Sequence, residues 1–237
     1  MALRRPIGSL ITLMALTAGL GIGVASLPAQ AQSPIVETRG TIVPAESVHT
    51  FEGQAGQVVT ITLDSEDFDP VLSLQTSTGE QIAFNDDFGG SLNSRIVAEL
   101  PADDIYRVVA RSYSGNGGDF NLMVRPATEY EVALAKADAL TDEDRYSDAI
   151  AAYTAAIALD PTQSIGYLSR AQATLGQVYL EQGEMLAGPE DIPAAVLQSV
   201  IADFETAADL VEAEGDVNWA TSLREQAAFL REIGRTN

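Results

Sequence analysis

The chain has 237 residues, of which 13 are basic and 34 acidic, so its formal net charge at pH 7 is -21. A surface this acidic repels nucleic acid, and we expect no nucleic-acid partner. The sequence contains no cysteine, which excludes disulfides, thiolate zinc sites and cysteine nucleophiles, and its single histidine excludes multi-histidine metal sites. Carboxylate chemistry, calcium binding and purely non-catalytic binding remain open.

Residues 1–31 have the order of a secretory signal peptide. Arg4 and Arg5 precede an apolar and small-residue stretch over residues 7–27, and the stretch ends in an Ala-x-Ala cleavage site at Ala31. Cleavage there leaves 11 basic and 34 acidic residues, a net charge of -23. We therefore predict an exported protein, located in the periplasm, outside the cell or in an equivalent lumen. A retained N-terminal anchor is the alternative; otherwise the mature form is expected not to span a membrane.

The next segment, residues 35–125, is typical of short β-strands. Val59, Ile61 and Leu63 alternate with more polar neighbours, and the same two-residue period recurs in later runs of the segment. Turn-forming Gly, Asn and Asp residues separate these runs, and no helix-length segment lies between them. About eight strands in this arrangement predict an antiparallel β-sandwich with a jelly-roll-like architecture.

The composition changes after Pro126 to Ala, Leu, Glu, Asp and Gln, with apolar residues recurring every three or four positions. We expect Thr128 or Thr141 to cap the first helices, and Trp219, after Asp216, to open the last. The predicted helices span 128–140, 146–159, 163–187, 193–213 and 216–233. The fold class is thus multidomain, with a β-sandwich over 32–126 followed by an all-α domain over 127–237.

Several motifs of the β segment are shared with a known family. They are Phe51-Glu52-Gly53, Gly56-Gln57-Val58-Val59, Phe68-Asp69-Pro70-Val71-Leu72, residues 79–87, Ser94-Arg95-Ile96, and residues 100–103 ahead of Tyr106. Together they resemble the bacterial pre-peptidase C-terminal domain over about residues 36–125. The resemblance implies a β-sandwich that is found on secreted proteins and is related in shape to collagen-binding modules.

The helical segment is similar to tetratricopeptide repeats in degenerate form. The predicted repeat core consists of small residues beside a large aromatic residue and a terminating proline, with a second partial copy downstream: Ala149, Tyr153, Ala156 and Pro161, then Phe204 and Ala207. The two aromatics are 51 residues apart, whereas a regular repeat has about 34. Either an insertion of 17 residues lengthens the helix and loop around 176–193, or the second copy is coincidental. The loop-forming Gly183, Gly188, Pro189 and Pro193 favour the insertion. Two repeats and a closing helix rarely support themselves, so we expect the helices to lean on the sandwich or on a partner.

The sequence offers a few candidates for binding residues. Tyr113, in a loop of Ser, Gly and Asn residues, is predicted to be an exposed binding aromatic, although its ring could instead fold back on the loop. On the helices, Tyr167, Arg170 and Tyr179 are predicted to line a repeat groove that binds an extended peptide or a partner helix. For the two tyrosines, packing between helices is the competing interpretation.

Acidic loop residues of the β segment form a candidate calcium site. Clustered oxygen ligands are what calcium requires, and the candidates are Asp67, Asp69, Asn85, Asp86 and Asp87. The alternative interpretation is that these residues only form turns, with Asp86 or Asp87 holding Arg95. Apart from this calcium ion, no cofactor is expected.

No catalytic motif accompanies these candidates. The sequence has no Gly-x-Ser-x-Gly segment, and His49 is expected to be an ordinary solvent-facing strand residue. We therefore predict a protein that is not an enzyme: an exported interaction protein, in which a β-sandwich binding module is fused to a short scaffold that binds a protein partner. The alternative hypothesis is a carbohydrate- or matrix-binding accessory module with a structural calcium site and a polysaccharide ligand.

Overall fold

The computed structural model describes residues 35–42, 46–89, 91–183 and 188–235. The predicted signal peptide lies outside the described residues. The strands are β1 (Val36–Ile42), β2 (Glu46–Gly53), β3 (Val58–Asp64), β4 (Pro70–Gln75), β5 (Gln81–Asn85), β6 (Ser94–Glu99), β7 (Asp104–Ser112) and β8 (Gly118–Pro126). The helices are α1 (Glu129–Asp142), α2 (Tyr146–Leu159), α3 (Ser164–Gln182), α4 (Ala194–Glu214) and α5 (Val217–Ile233). The predicted fold class is confirmed.

The strands form two four-stranded antiparallel sheets. The first sheet has the order β1-β8-β3-β6 and the second the order β2-β7-β4-β5. The predicted alternation is realised, because Val59, Ile61 and Leu63 are buried together with Tyr106 and Val108 of the second sheet. Each sheet therefore has one face in a shared core, and its other face points away from the sandwich.

His49 does not face the solvent as the sequence analysis expected. It lies on the same side of β2 as buried Phe51, and its ring meets the ring of Phe120 edge to face, with centroids 5.8 Å apart. The His49 Nε2 also shares a 2.9 Å hydrogen bond with the Ser47 hydroxyl. Burial lowers the pKa of His49, so this side chain is a partly buried packing residue at the sandwich edge.

The helices pack in chain order, each against the next. Thr128 caps α1, accepting a 3.2 Å hydrogen bond from the Glu131 amide, while Thr141 lies inside that helix. Asp216 accepts a 2.9 Å hydrogen bond from the Trp219 amide and so caps α5, as expected. The third helix ends at Gln182, five residues earlier than the predicted 187. None of the described helices is both long and apolar enough to cross a bilayer.

The predicted repeat core occupies the contacts between helices. Five of its six residues are buried, namely Ala149, Tyr153, Ala156, Phe204 and Ala207, while exposed Pro161 follows the end of α2. Helices α3 and α4, which flank the loop of the predicted insertion, have 19 and 21 residues, whereas α1 and α2 have 14 each. The insertion stays a prediction, and residues 184–187 lie outside the described residues.

Candidate interaction surfaces

The helical domain is attached to the outer face of the first sheet. Thr60 points away from the sandwich core, yet its exposed fraction is 0% because α1 covers it. The Thr60 hydroxyl donates a 2.8 Å hydrogen bond to Glu131 Oε2. Arg125 of β8 donates to both oxygens of the same carboxylate, at 2.7 and 2.5 Å, and Arg95 of β6 pairs with it as well. One carboxylate on α1 thus binds three strands.

This junction holds two positive charges and one negative charge, because the guanidinium groups of Arg95 and Arg125 share the carboxylate of Glu131. Glu131 is only 3% exposed. Burial, followed by repulsion from Arg125, lowers the pKa of Arg95 to about 10. The alternative in which Asp86 or Asp87 holds Arg95 is therefore wrong: the guanidinium pairs with Glu131 and lies over the Phe88 ring, 4.8 Å from its centroid.

A second contact joins the two domains through the loop between β5 and β6. Phe88 packs against the cluster formed by α1, α2 and α3, which includes Tyr130 and Ile165. Gly89 follows with φ of +66°, and a Cβ at this position would lie 2.9 Å from Ile165 Cδ1. Only glycine meets both conditions without strain. The helical domain leans on the sandwich at two separate points, which fixes their relative orientation.

Two side chains with shifted pKa values, Asp138 and Tyr153, lie in the contact between α1 and α2. Asp138 on α1 accepts a 2.7 Å hydrogen bond from the Tyr153 hydroxyl of α2, and burial raises the pKa of Asp138. Thr141 lies 3.1 Å from the same hydroxyl. Shifted pKa values often mark active sites. Here the groups lie in the seam between α1 and α2, where a polar contact joins the two helices.

The loop aromatic Tyr113 is freely accessible. Its side chain is 74% exposed, while its backbone amide donates a 2.8 Å hydrogen bond to the Asp69 carbonyl. The ring therefore does not fold back on the loop, and the backbone beneath it is held in place. Its binding role stays a prediction.

The three predicted groove residues on the helices have packing roles. Arg170 of α3 donates two hydrogen bonds to the Asp203 carboxylate of α4, at 2.9 and 2.6 Å, and a third to the Thr154 hydroxyl of α2 at 3.1 Å. Tyr167 and Tyr179 are partly buried against the cluster of α3, α4 and α5. Arg170 thus joins three consecutive helices, and a binding role for these residues stays a prediction.

The predicted calcium ligands are divided among several local contacts. Asp67 accepts a 2.7 Å hydrogen bond from the Asp119 amide. Asn85 is engaged at both ends of its amide, donating to the Asp87 carbonyl and accepting from the Arg95 amide. Burial and the neighbouring charges of Asp87 and Asp86 raise the pKa of Asp69. Within the described ranges, no group of three or more His, Asp or Glu side chains converges as a metal site, and calcium binding stays a prediction.

Sequence reasoning missed a shallow groove at the end of the helices remote from the sandwich. The groove lies between the α1–α2 turn and the last turns of α3, has a volume of about 200 Å³, and is lined by Asp144, Arg145, Tyr146, Ser147, Asp148, Gln177, Leu180 and Glu181. Leu180 is 56% exposed within it. Tyr146 packs on Gly176, where a Cβ would lie only 2.5 Å from the ring. The sequence shows Tyr146 and Gly176 but does not show that they are in contact, because that depends on which helices are adjacent.

The junction carboxylate was also missed, although a signal existed. Thr128 and Glu131 form a Thr-x-x-Glu capping box, in which Glu131 Oε2 accepts a 2.8 Å hydrogen bond from the Thr128 amide. That pattern predicts a helix start. It does not predict that the same carboxylate binds Arg95 and Arg125 of the sandwich.

Comparisons with known proteins give matches to solved structures. No protein-family model matches the sequence, and no curated protein is significantly similar to it. The chain is similar to the Aeromonas hydrophila periplasmic inhibitor of g-type lysozyme, PliG, with 18% identity, a TM-score of 0.33, and coverage of 44% of this chain and 93% of that chain. It is also similar to the pre-peptidase C-terminal domain of Bacillus anthracis collagenase, with 16% identity, a TM-score of 0.33, and coverage of 43% and 100% respectively.

A third match reaches further along this chain. It is a Clostridium perfringens ZmpB structure that contains a CBM51 domain in complex with GlcNAc, with 12% identity, a TM-score of 0.26, and coverage of 70% of this chain and 34% of that chain.

Proposed function

We propose that the mature chain is an exported, non-catalytic adaptor that binds a protein partner through its tetratricopeptide-like helices while a pre-peptidase-like sandwich carries them. The observation that supports this most is the junction at Glu131. Thr60, Arg95 and Arg125 of three strands bind one buried carboxylate of α1. Such a connection holds two units in one orientation, which suits a scaffold.

The distribution of shifted pKa values supports a non-catalytic role. A catalytic acid or base has to reach a substrate from a cleft. In this chain the carboxyl group of Asp138 and the hydroxyl group of Tyr153 bond to each other between helices. The guanidinium of Arg95 is likewise committed to the junction. These groups hold the fold together.

The groove around Leu180 is the proposed docking place for the protein partner. It lies about 20 Å from the start of α1, since α1 has 14 residues and a helix rises about 1.5 Å per residue. Its rim is acidic, with Asp144, Asp148 and Glu181, while Arg145 is already paired with Glu143 and Asp148. A partner segment that places an apolar side chain on Leu180 and lysine or arginine beside it complements this surface.

Defined peptides test the proposal. We expect a fluorescent amphipathic peptide of leucine and lysine to bind the mature chain, and a counterpart with glutamate in place of lysine not to bind. Leu180→Glu should weaken binding at least tenfold in fluorescence anisotropy, because it removes the exposed apolar side chain on which the leucines of the peptide pack. Leu159→Glu is the matched control, since Leu159 is 51% exposed at the opposite end of the helices.

Two results would contradict the proposal. One is equal binding of the lysine and glutamate peptides. The other is an equal effect of Leu180→Glu and Leu159→Glu on binding, which would mean that the peptide responds to the overall charge of the helices and not to a specific groove.

A further inference from the structure

The outer face of the second sheet carries two parallel rows of side chains. Because Phe51 of β2 and Val108 of β7 point into the core, their neighbours along each strand point outward. The ladder register then places outward residues of four strands side by side. One row, called the apolar row here, is Val48, Val109, Ser73 and Phe84; the other, called the polar row, is Thr50, Arg107, Gln75 and Gln81.

The apolar row is covered in its middle and exposed at its two ends. Val109 is 2% exposed although it points outward, so its neighbours cover it. Phe84 at one end of the row is 51% exposed, and Val48 at the other end is also exposed. The Ser73 hydroxyl between them donates a 3.2 Å hydrogen bond to Gln81 Oε1, which links the two rows. The exposed ring of Phe84 can pack on the apolar face of a ligand.

The polar row keeps most of its hydrogen-bonding capacity. Among the described residues, the side chain of Arg107 makes no ion pair or hydrogen bond, and its Nε is buried without a partner. Thr50 and the Gln81 amide nitrogen have no described hydrogen-bond partner, and Gln75 makes only a 3.5 Å contact with Ser73. A hydroxyl, a guanidinium and two amides thus lie side by side across four strands, with a register irregularity between Leu74 and Gln75 just before the last pair. Neighbouring strands are about 4.8 Å apart, so the row spans roughly 14 Å.

The negative charge of the sandwich disfavours anionic ligands. The sandwich, residues 32–126, has 5 basic and 14 acidic residues and a net charge of -9. Polyanions are therefore repelled at long range. The other guanidinium on this face, Arg111, is paired with Glu46 at 3.0 Å, which leaves Arg107 as the cation of the polar row. An uncharged polymer with many hydroxyl groups meets no repulsion and can use donors and acceptors alike.

We propose that the outer face of the second sheet binds a neutral oligosaccharide. The polar row hydrogen-bonds the sugar hydroxyls, with Arg107 and the two glutamine amides as donors and Gln75 Oε1 and the Thr50 hydroxyl as acceptors. Phe84 and Val48 lie at opposite ends of the apolar row, so each contacts the apolar C–H face of a different sugar ring of the oligosaccharide. The site lies on the side of the sandwich opposite α1, so it and the groove at Leu180 can be occupied together.

A glycan array tests this inference with the mature chain and three variants. We expect binding to one or more neutral glycans and none to acidic glycans such as polygalacturonate. For a neutral oligosaccharide found in this way, calorimetry should give at least a tenfold weaker affinity for Phe84→Ala and for Arg107→Ala. The matched control is Phe229→Ala, which removes an aromatic side chain of α5 that is 65% exposed and should leave the affinity unchanged. Unaltered thermal unfolding of each variant checks that the face remains folded.

The inference fails if no neutral glycan binds, if acidic glycans bind equally well, or if Phe84→Ala weakens binding no more than Phe229→Ala does. The last result would mean that the outer face of the second sheet is not the binding site. The oligosaccharide site and the adaptor proposal can fail independently. Binding of the lysine peptide tests only the groove at Leu180, and Phe84→Ala should not change the affinity for that peptide.

Discussion

The Thr60 hydroxyl of the sandwich donates a 2.8 Å hydrogen bond to Glu131 of the first helix, and both side chains are almost fully buried. Neither residue belongs to the apolar core of its own domain. Together with Arg95 and Arg125 they form a polar contact that makes the two domains one unit. The stability of each domain therefore depends on the other.

Glu131→Gln should destabilise both domains. The substitution keeps the side-chain shape and the helix cap but leaves Arg95 and Arg125 buried without a counter-charge. Breaking a buried ion pair in this way costs about 3–5 kcal/mol. In urea we expect the wild-type protein to unfold in one transition and the variant at lower urea, with the helices unfolding first. Glu129→Gln, in the same helical turn but exposed, is the control; equal urea midpoints for the two variants would contradict the prediction.

Arg170→Ala should loosen the contact between α3 and α4. It leaves the Asp203 carboxylate, whose side chain is only 10% exposed, without its partner. We expect a loss of about 1–3 kcal/mol in the free energy of unfolding, the usual cost of a buried unsatisfied polar group. Arg145→Ala removes the exposed ion pairs with Glu143 and Asp148 and should cost less stability than Arg170→Ala. A double-mutant cycle with Asp203→Asn measures the coupling, and a coupling energy near zero would show that the pair does not stabilise the packing.

Asp138→Asn should stabilise the protein at neutral pH. Burial raises the pKa of Asp138, with Asp142 adding to the rise and the Tyr153 hydrogen bond and Arg95 opposing it. A carboxyl group whose native pKa exceeds its unfolded value of about 3.8 favours folding fully below pH 3.8, and this contribution is lost as the pH rises through the native pKa. The gain from Asp138→Asn should therefore be present at pH 7 and vanish near pH 3.5.

Thermal unfolding of both proteins across this pH range provides the measurement. Glu225→Gln, an exposed change on α5, corrects for the altered net charge. A gain from Asp138→Asn that is the same at pH 7 and at pH 3.5 would contradict the prediction.

Calcium titration separates the two interpretations of the acidic loops. If Asp69, Asp86 and Asp87 bind calcium, the ion should raise the unfolding temperature, because it neutralises the charges that raise the pKa of Asp69. Asp69→Asn should then reduce the calcium effect, whereas Asp103→Asn, in a different loop, should not. An unfolding temperature that is the same with millimolar calcium and with chelator supports turn formation alone.

The sequence predicted the local elements well. Two-residue alternation at Val59, Ile61 and Leu63 gave a strand, and the two ends of the second predicted helix, 146–159, are those of α2. Both patterns are local, because a strand and a helix each impose their own period on the chain. The third helix was predicted too long although Gly183, which ends α3 with a φ of +50°, is a typical helix-ending residue.

The roles of single side chains were harder to predict from the sequence. Arg170 was predicted to line a binding groove, but its guanidinium binds the carboxylate of Asp203, which lies 33 positions later in the chain. His49 was expected to face the solvent because the sequence does not show that its ring meets Phe120 of the other sheet. In both cases the deciding neighbour is remote in sequence.

The sequence by itself determined an acidic, cysteine-free chain with a β-rich half, a helical half and the boundary between them near Pro126. Composition and periodicity suffice for this, because burial patterns repeat along each element. Only the tertiary structure decided that Glu131 binds Arg95 and Arg125, and that Thr50, Arg107, Gln75 and Gln81 form one row. Those sets depend on strand order and register, which join residues that are far apart in the chain.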